Sequence, residues 1–562
     1  MRIEAELPQD LQIWLRSFRE IHGRSLRVLH IGNIANNAYI NAKLLNEAGL
    51  DCDVICHSYY HIMACPEWED ADFEGEIKDQ FFPNWRSVNL NGFKRPRWFA
   101  QGPLRICIPY LISRRDGNKS RERLWWNILE ISRFLRCSWV GRHLANLSND
   151  LINRLAALRK HPNSAGRAIF TILRALKHRL SSLLDSLIPR VSGSLQPSQK
   201  TVQSSGTIQK KDSINDYSFE GQVDLLAKKW TDLFPDRLDK FSSSDVEYHR
   251  SMIVSWRKLF SRYDIVQGYA TAPILPLLSR KPYFAFEHGT LREIPIQETS
   301  EGRITALSYS FAEHVFVTNG DCLETAHKLA DDRVSFINHP FDEDHGLSVG
   351  DWEDLRQRLR DLLDADFLFF FPTRHDWVPD TGYGDKGNDS FLRAFCRLRQ
   401  GGYRVGMVCC RWGANVKESM NLLKYYNCDQ YVLWSEPMGT VKFERTSRAC
   451  DMIIDQFKLG SFGGIMFKAM AVGAPICTYL DEDKIGELYN EIPPVINCRT
   501  EEEVVTSITD ILKNPTKLDH LRAASRKWIE KYHNSKETIE IQVLDYIGFM
   551  EKDNTYLHSE MP

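Results

Sequence analysis

Residues 451–480, DMIIDQFKLGSFGGIMFKAMAVGAPICTYL, leave a chain of this kind few alternatives. A short apolar run at 452–454 ends at Asp455, and a Gly/Ser turn follows. A helix-like segment at 465–472, a Gly-Ala-Pro break and a second apolar run at 476–480 complete the pattern. This is strand, glycine loop, helix and strand, the unit of a parallel α/β sheet. The helix is apolar nearly all round and is therefore expected to be buried. Free N–H groups at a helix start favour phosphate, and Gly460, Gly463 and Gly464 would let a ligand approach them closely. The unit is common in α/β proteins, so spacing alone leaves a structural and a phosphate-binding reading open.

The same alternation runs through most of the chain. A strand at 26–31 leads into Gly32-Asn33-Ile34-Ala35-Asn36-Asn37, a helix and a strand at 52–56; Gly32, Asn33 and Asn37 are candidate cleft residues. Strands are expected at 265–268 and 283–286. The latter runs into Glu287-His288-Gly289-Thr290-Leu291-Arg292, which puts a histidine at the C-terminal end of a strand, where open α/β sheets bind ligands. A fully buried strand at 366–372 is followed by Thr373-Arg374-His375-Asp376, a loop at 375–385 and Lys386-Gly387, with Trp412-Gly413-Ala414 in a later loop. At 562 residues the chain can bury two or more cores. The expected fold class is α/β, two Rossmann-like domains facing across a cleft.

The segments Asp455-Gln456, Gly460-Ser461-Phe462-Gly463, Lys468-Ala469-Met470-Ala471 and Gly473-Ala474-Pro475 resemble the nucleotide-sugar signature of family-four-type retaining glycosyltransferases, which have the GT-B fold. The resemblance is best at 365–535 and moderate at 26–56 and 283–342. It implies a nucleotide-sugar donor in the second domain, a glycan or lipid-linked acceptor in the first, and front-face attack with retention, needing no protein nucleophile. Arg374 and Lys386 then hold the diphosphate, Gly463 and Gly464 admit it to the helix start, and His288 orients the sugar. Asp455, Gly460, Ser461, Phe462 and Lys468 complete the donor side, while Gly32, Asn33, Asn37 and Arg292 face the acceptor. No metal or other cofactor is expected, because two cations and a helix dipole can replace one. In the family two glutamates with seven residues between them flank the glycine loop, and the second usually holds the ribose hydroxyls; here those positions are Gly460 and Lys468. A lysine cannot accept hydrogen bonds from hydroxyls. It is expected to contact phosphate or to pair with a carboxylate such as Asp455.

Other stretches bound the reading. Between Cys56 and Gln101 the chain is irregular, aromatic and acidic. Cys56, His57, His61 and Cys65 cluster there, but their spacing fits no closed zinc module, and a sugar-recognition surface is the simpler reading. Although the net charge is only −2, residues 111–190 carry 16 Lys/Arg against 5 Asp/Glu. Basic amphipathic patterns at 121–142 and 168–187 fit either contact with an anionic membrane surface or a solvated helical insertion; nothing resembles a nucleic-acid motif. Residues 191–218, rich in Ser, Gln, Gly and Thr, read as a disordered linker. The expected divisions are 1–103 and 219–345 (first domain), 104–190 (basic insertion), 191–218 (linker), 346–536 (second domain) and 537–562 (crossing helix and tail). Scattered cysteines, an N-terminus without an apolar core and the lack of a spanning run suggest a cytoplasmic setting, at the inner face of the membrane if the basic segment docks there. Besides a transferase, a non-transferring scaffold protein and a nucleotide-sugar epimerase of the same architecture fit the sequence.

Overall fold

The computed structural model describes residues 2–57, 59–137, 219–379 and 384–559. Among these residues, thirteen strands form two sheets. The first contains β1 (Arg27–Ile31), β2 (Asp51–His57), β3 (Phe99–Gly102), β4 (Ile265–Tyr269), β5 (Phe284–Glu287), β6 (His314–Val317) and β7 (Val334–Phe336), in the order β3-β2-β1-β4-β5-β6-β7. The second contains β8 (Phe367–Phe371), β9 (Val405–Cys410), β10 (Val432–Ser435), β11 (Met452–Ile454), β12 (Ile476–Thr478) and β13 (Ile496–Asn497), in the order β10-β9-β8-β11-β12-β13. Every pairing within them is parallel.

Parallel sheets need helices on both faces, which is why their strands read as continuous apolar runs. In β8, Phe369 and Phe371 enter one core cluster while Leu368 and Phe370 enter the other. In each sheet the strand order reverses at one point, between β1 and β4 and between β8 and β11, and a crevice opens at the C-terminal strand ends there. Two Rossmann-like domains thus face each other across a cleft, the GT-B arrangement.

Two elements depart from the sequence reading. Strand β3 lies in the stretch taken as irregular; its four residues are too few to show a period. The helix Leu104–Arg115, assigned by charge to the basic insertion, is built into the first domain. It buries Ile106, Cys107, Tyr110 and Leu111 in the core, while Arg114 and Arg115 reach Asp53 of β2 at 2.9 and 2.6 Å. The next helix, Lys119–Cys137, contributes Ile128 and Leu129 to the same core. The rest of the basic segment, including 168–187, and the stretch 191–218 lie outside the described residues.

The helix Ser535–Ser559 carries the chain from the second domain back onto the first. Ile539, Val543 and Tyr546 join the cluster that holds Cys52, Phe284 and Phe316, and the Tyr546 hydroxyl donates to Gln267 Oε1 at 2.6 Å. Among the described residues no helix is long and apolar enough to cross a membrane.

Candidate active site

A cavity of about 410 Å3 lies between the domains, at the two crevices where the strand orders reverse. Its second-domain wall begins with the loop after β8. That loop is fixed by its own backbone: His375 N–H donates to the Trp412 carbonyl and Asn415 N–H to the His375 carbonyl, each at 2.7 Å. Asp376 accepts from Ala414 N–H at 2.7 Å, and its Oδ2 lies 3.0 Å from Arg374 Nη1. Arg374 is thereby held at the cavity wall with 28% of its side chain exposed.

Lys386 is positioned by two backbone contacts, its N–H to Asp376 O at 2.6 Å and its carbonyl from Phe457 N–H at 2.8 Å. Burial lowers its pKa, the carboxylate of Asp455 opposes that shift, and the positive charge of Arg374 adds to it. Asp455, at the end of β11, accepts from Thr373 Oγ1 at 2.8 Å. Burial raises its carboxyl pKa, against the pull of Thr373 and Lys386.

The helix Gly464–Ala471 starts at Gly463 without a side-chain cap. A Cβ built on Gly463 would meet only Asp455 Oδ2, at 3.6 Å, and one on Gly464 only Phe467, at 3.8 Å. The start of this helix is thus uncrowded and lines the same cavity as Arg374 and Lys386, an arrangement that suits an anion. Gly464→Val is expected to fold with a melting temperature within a few degrees of the parent, and to weaken anion binding more than tenfold by filling that space. Thermal unfolding and calorimetric titration with a nucleoside diphosphate check both parts.

The first domain supplies Asn37 from the start of the helix after β1, His288 after β5, His339 after β7, and Met63 and Trp68 from the aromatic stretch. Burial pushes the His288 imidazole down to about 4, so it is neutral at neutral pH, and its Nε2 has no hydrogen-bond partner among the described residues. A neutral imidazole beside a cavity can donate to or accept from a hydroxyl. His339, pushed down to about 3 by burial, stacks on Phe467 at 5.9 Å between centroids.

Of the residues singled out in the sequence, Asn37, His288, Arg374, Lys386, Asp455, Ser461, Gly463, Gly464 and Lys468 line this cavity. Five others lie elsewhere. Asn33 is buried and shapes its own loop, donating to Asn36 Oδ1 and the Ala64 carbonyl at 3.0 Å each, while Gly32 N–H bonds the Ile55 carbonyl at 3.0 Å. Arg292 forms a two-pronged pair with Asp321 at 2.5 and 3.1 Å. Gly460 turns toward Asp481, whose N–H its carbonyl accepts at 3.0 Å, and Phe462 packs between Trp528 and His533. Cys56 and Cys65 pack about Gln101, and no group of three or more His, Cys, Asp or Glu side chains among the described residues is arranged to hold a metal ion.

Lys468 pairs with a carboxylate, but not with Asp455. Its Nζ lies 2.7 Å from Glu69 Oε1 of the first domain and 2.9 Å from Thr440 Oγ1, which donates to Glu69 Oε2 at 2.9 Å. Burial alone would raise the Glu69 pKa, but the charge and hydrogen bond of Lys468, with His345 and Thr440, together outweigh it and hold the carboxyl below its ordinary value. Beside this contact Arg445 grips Asp72 at 3.1 and 2.5 Å, and His345 lies 2.7 Å from Glu444 and 3.8 Å from Asp70. An acidic run of the first domain, Glu69 to Asp72, thus clasps the second domain. Sequence reasoning missed it; the only local signal was Pro66 opening an acidic turn, Glu67 to Asp70.

For His345, burial lowers the pKa but hydrogen bonding and charge from Glu444, with Asp70 and against Lys43, raise it further, so the net shift is upward. A group with a raised folded pKa stabilises fully below its unfolded value, about 6.5, and loses that contribution as pH rises through the folded value. The melting temperature is therefore expected to fall more between pH 6 and 8.5 in the parent than in His345→Gln, checked by thermal unfolding across that range.

No protein-family model and no curated protein matches the chain. Solved structures similar to it include Anabaena Alr3699/HepE in complex with UDP and glucose (15% identity, 53% of this chain and 81% of that one, TM-score 0.42). Others are sucrose-phosphate synthase from Thermosynechococcus elongatus (15%, 55% and 80%, TM-score 0.40) and UDP-GlcNAc 2-epimerase from Neisseria meningitidis bound to UDP-GlcNAc (14%, 57% and 88%, TM-score 0.38). At these identities and scores the reading of the site rests on its own geometry.

Proposed function

We propose that the protein is a glycosyltransferase that takes a sugar from a nucleotide-sugar donor and passes it, with retention, to a glycan or lipid-linked acceptor. The observation that carries this reading is the juxtaposition of Arg374, Lys386 and the uncapped glycine start of the helix Gly464–Ala471 on one wall of an interdomain cavity, with the neutral His288 on the other. Two cations and a helix start suit the diphosphate of a donor. As the bond between the sugar's anomeric carbon and the phosphate oxygen breaks, its electron pair stays on that oxygen, and the cations face the charge that develops. The acceptor hydroxyl attacks the anomeric carbon from the same face and gives its proton to the departing phosphate. His288 holds a sugar hydroxyl, and Trp412 covers the base. In this reading the cations do the work for which other transferases use a metal ion. The donor lies in the second domain, the acceptor in the first, and the assembly serves polysaccharide or glycoconjugate synthesis from the cytoplasmic side of a membrane.

One observation favours a second reading. The position expected to hold ribose is a lysine already paired with Glu69, which suits a protein that binds without transferring. Release of nucleoside diphosphate from a panel of nucleotide sugars, with a mixture of glycan acceptors, tests the two. The transferase reading expects release from at least one donor and its loss, with donor binding retained, in His288→Ala. Donor binding without release from any sugar would favour the non-transferring reading.

A further inference from the structure

A second cavity, of about 420 Å3, lies wholly within the first domain. The short helix Pro66–Asp70 separates it from the interdomain cavity: Glu67 lines the one and Trp68 the other. Five basic side chains and two carboxylates line it. Both carboxylates are already engaged. Glu67 takes a two-pronged contact from Arg95 at 3.0 and 2.6 Å, in a pair whose side chains are only 5% and 4% exposed, and Glu130 lies 2.5 Å from Arg133 Nη2.

Arg86, Lys94 and Arg97 have no carboxylate of the cavity left to neutralise them, and Arg133 meets Glu130 through Nη2. Arg133 Nη1 is buried without a hydrogen-bond partner among the described residues, and burial together with the nearby charge of Arg95 lowers the pKa of its guanidinium. A buried N–H of a cation left unmatched is costly, and an anion bound there would relieve it. At the exposed rim, Arg86 sits over the Phe134 ring at 4.6 Å and Arg97 over the Trp126 ring at 5.5 Å, with Lys94 beside them. Aromatic walls offer faces for a ring, and guanidinium forks match a carboxylate or phosphate. The volume is that of a small-molecule site.

We propose that this cavity is a binding site for a sugar carrying an anionic group, a carboxylate or a phosphate, with the ring against Trp126 and Phe134 and the anion on Arg133, Arg86 and Lys94. The proposal stands on this cavity alone and does not depend on the transferase reading. Calorimetric titration of the full chain with glucuronic acid, glucose 6-phosphate and glucose tests it, carried out on the parent and on Lys386→Ala so that any contribution of the interdomain cavity shows as a difference between the two. The expected result is millimolar or tighter binding of at least one charged sugar and at least tenfold weaker binding of glucose. The exposed pair of substitutions Arg86→Glu and Lys94→Glu should reduce the charged-sugar affinity at least tenfold with the melting temperature unchanged, and Arg133→Met should reduce it independently. The proposal is overturned by equal binding of glucose, by no binding of either charged sugar to folded protein, by affinity that survives both sets of substitutions, or by binding to phosphatidylglycerol vesicles without binding to either soluble sugar.

Discussion

Lys386→Ala is expected to weaken the binding of a nucleoside diphosphate about 30- to 1,000-fold while leaving the protein folded. The side chain is half-buried beside Arg374 and Asp455, and burial with a neighbouring cation already disfavours its charge. A bound diphosphate reverses that disadvantage, so the ammonium contributes a charge-assisted contact in a partly desolvated cavity. Loss of such a contact costs about 2–4 kcal/mol, and each 1.4 kcal/mol is about tenfold in affinity. Arg374→Ala should weaken binding comparably but is a less clean test. Removing it leaves Asp376, 1% exposed, without the guanidinium 3.0 Å away, and the loop after β8 loses stability as well. Arg374→Lys should not restore full affinity, because a point charge does not reproduce a planar fork. Isothermal titration at two salt concentrations checks this: the parent affinity should fall with salt more steeply than that of Lys386→Ala.

Lys468→Glu, which restores the residue usual in the resembling family, is expected to damage the protein rather than repair it. The new carboxylate would lie against Glu69, in a contact whose side chains are now 20% and 12% exposed. Exchanging attraction for repulsion at a largely buried pair should cost about 2–4 kcal/mol, with the first and second domains moving apart. Glu69→Lys with Lys468→Glu should recover most of that loss, giving a coupling of more than about 1 kcal/mol in a double-mutant cycle. Urea unfolding of the four proteins measures the coupling, and small-angle scattering reads the separation of the domains. Because the Glu69 pKa is depressed, the pair's contribution is present above the ordinary carboxylate value of about 4.3 and is lost as pH falls through the lower folded value. Recovery in the swapped protein would show that position 468 serves domain closure. A higher nucleotide affinity in Lys468→Glu alone would show instead that the position still answers to a ribose.

Much of the architecture was legible because its signals are local. The run Phe367–Phe371 and the sequence around Gly463 are strand and glycine turn at short range, and parallel sheets buried on both faces leave unbroken apolar runs. His288 could be named from the sequence because it follows a strand at its C-terminal end, while Arg374 and Lys386 were named through the family resemblance, and all three line the cavity. The clasp was not legible. Lys468 and Glu69 are 399 residues apart, and nothing near either identifies the other. Charge misled in the opposite direction at Arg114 and Arg115: their basicity placed them in the basic insertion, but both serve Asp53, a buried carboxylate on the neighbouring strand. Phe462 and Gly460 sit within the glycine loop, yet one packs inward and the other makes a turn, a distinction that spacing does not carry.

The interdomain cavity is proposed to receive the diphosphate of a nucleotide. Isothermal titration of the full chain with a panel of nucleoside mono- and diphosphates, repeated on Lys386→Ala, tests it most directly. At least one diphosphate is expected to bind, more tightly than its monophosphate, and Lys386→Ala to remove the difference. Folded protein that binds no nucleotide, or a diphosphate preference that survives in Lys386→Ala, would contradict it.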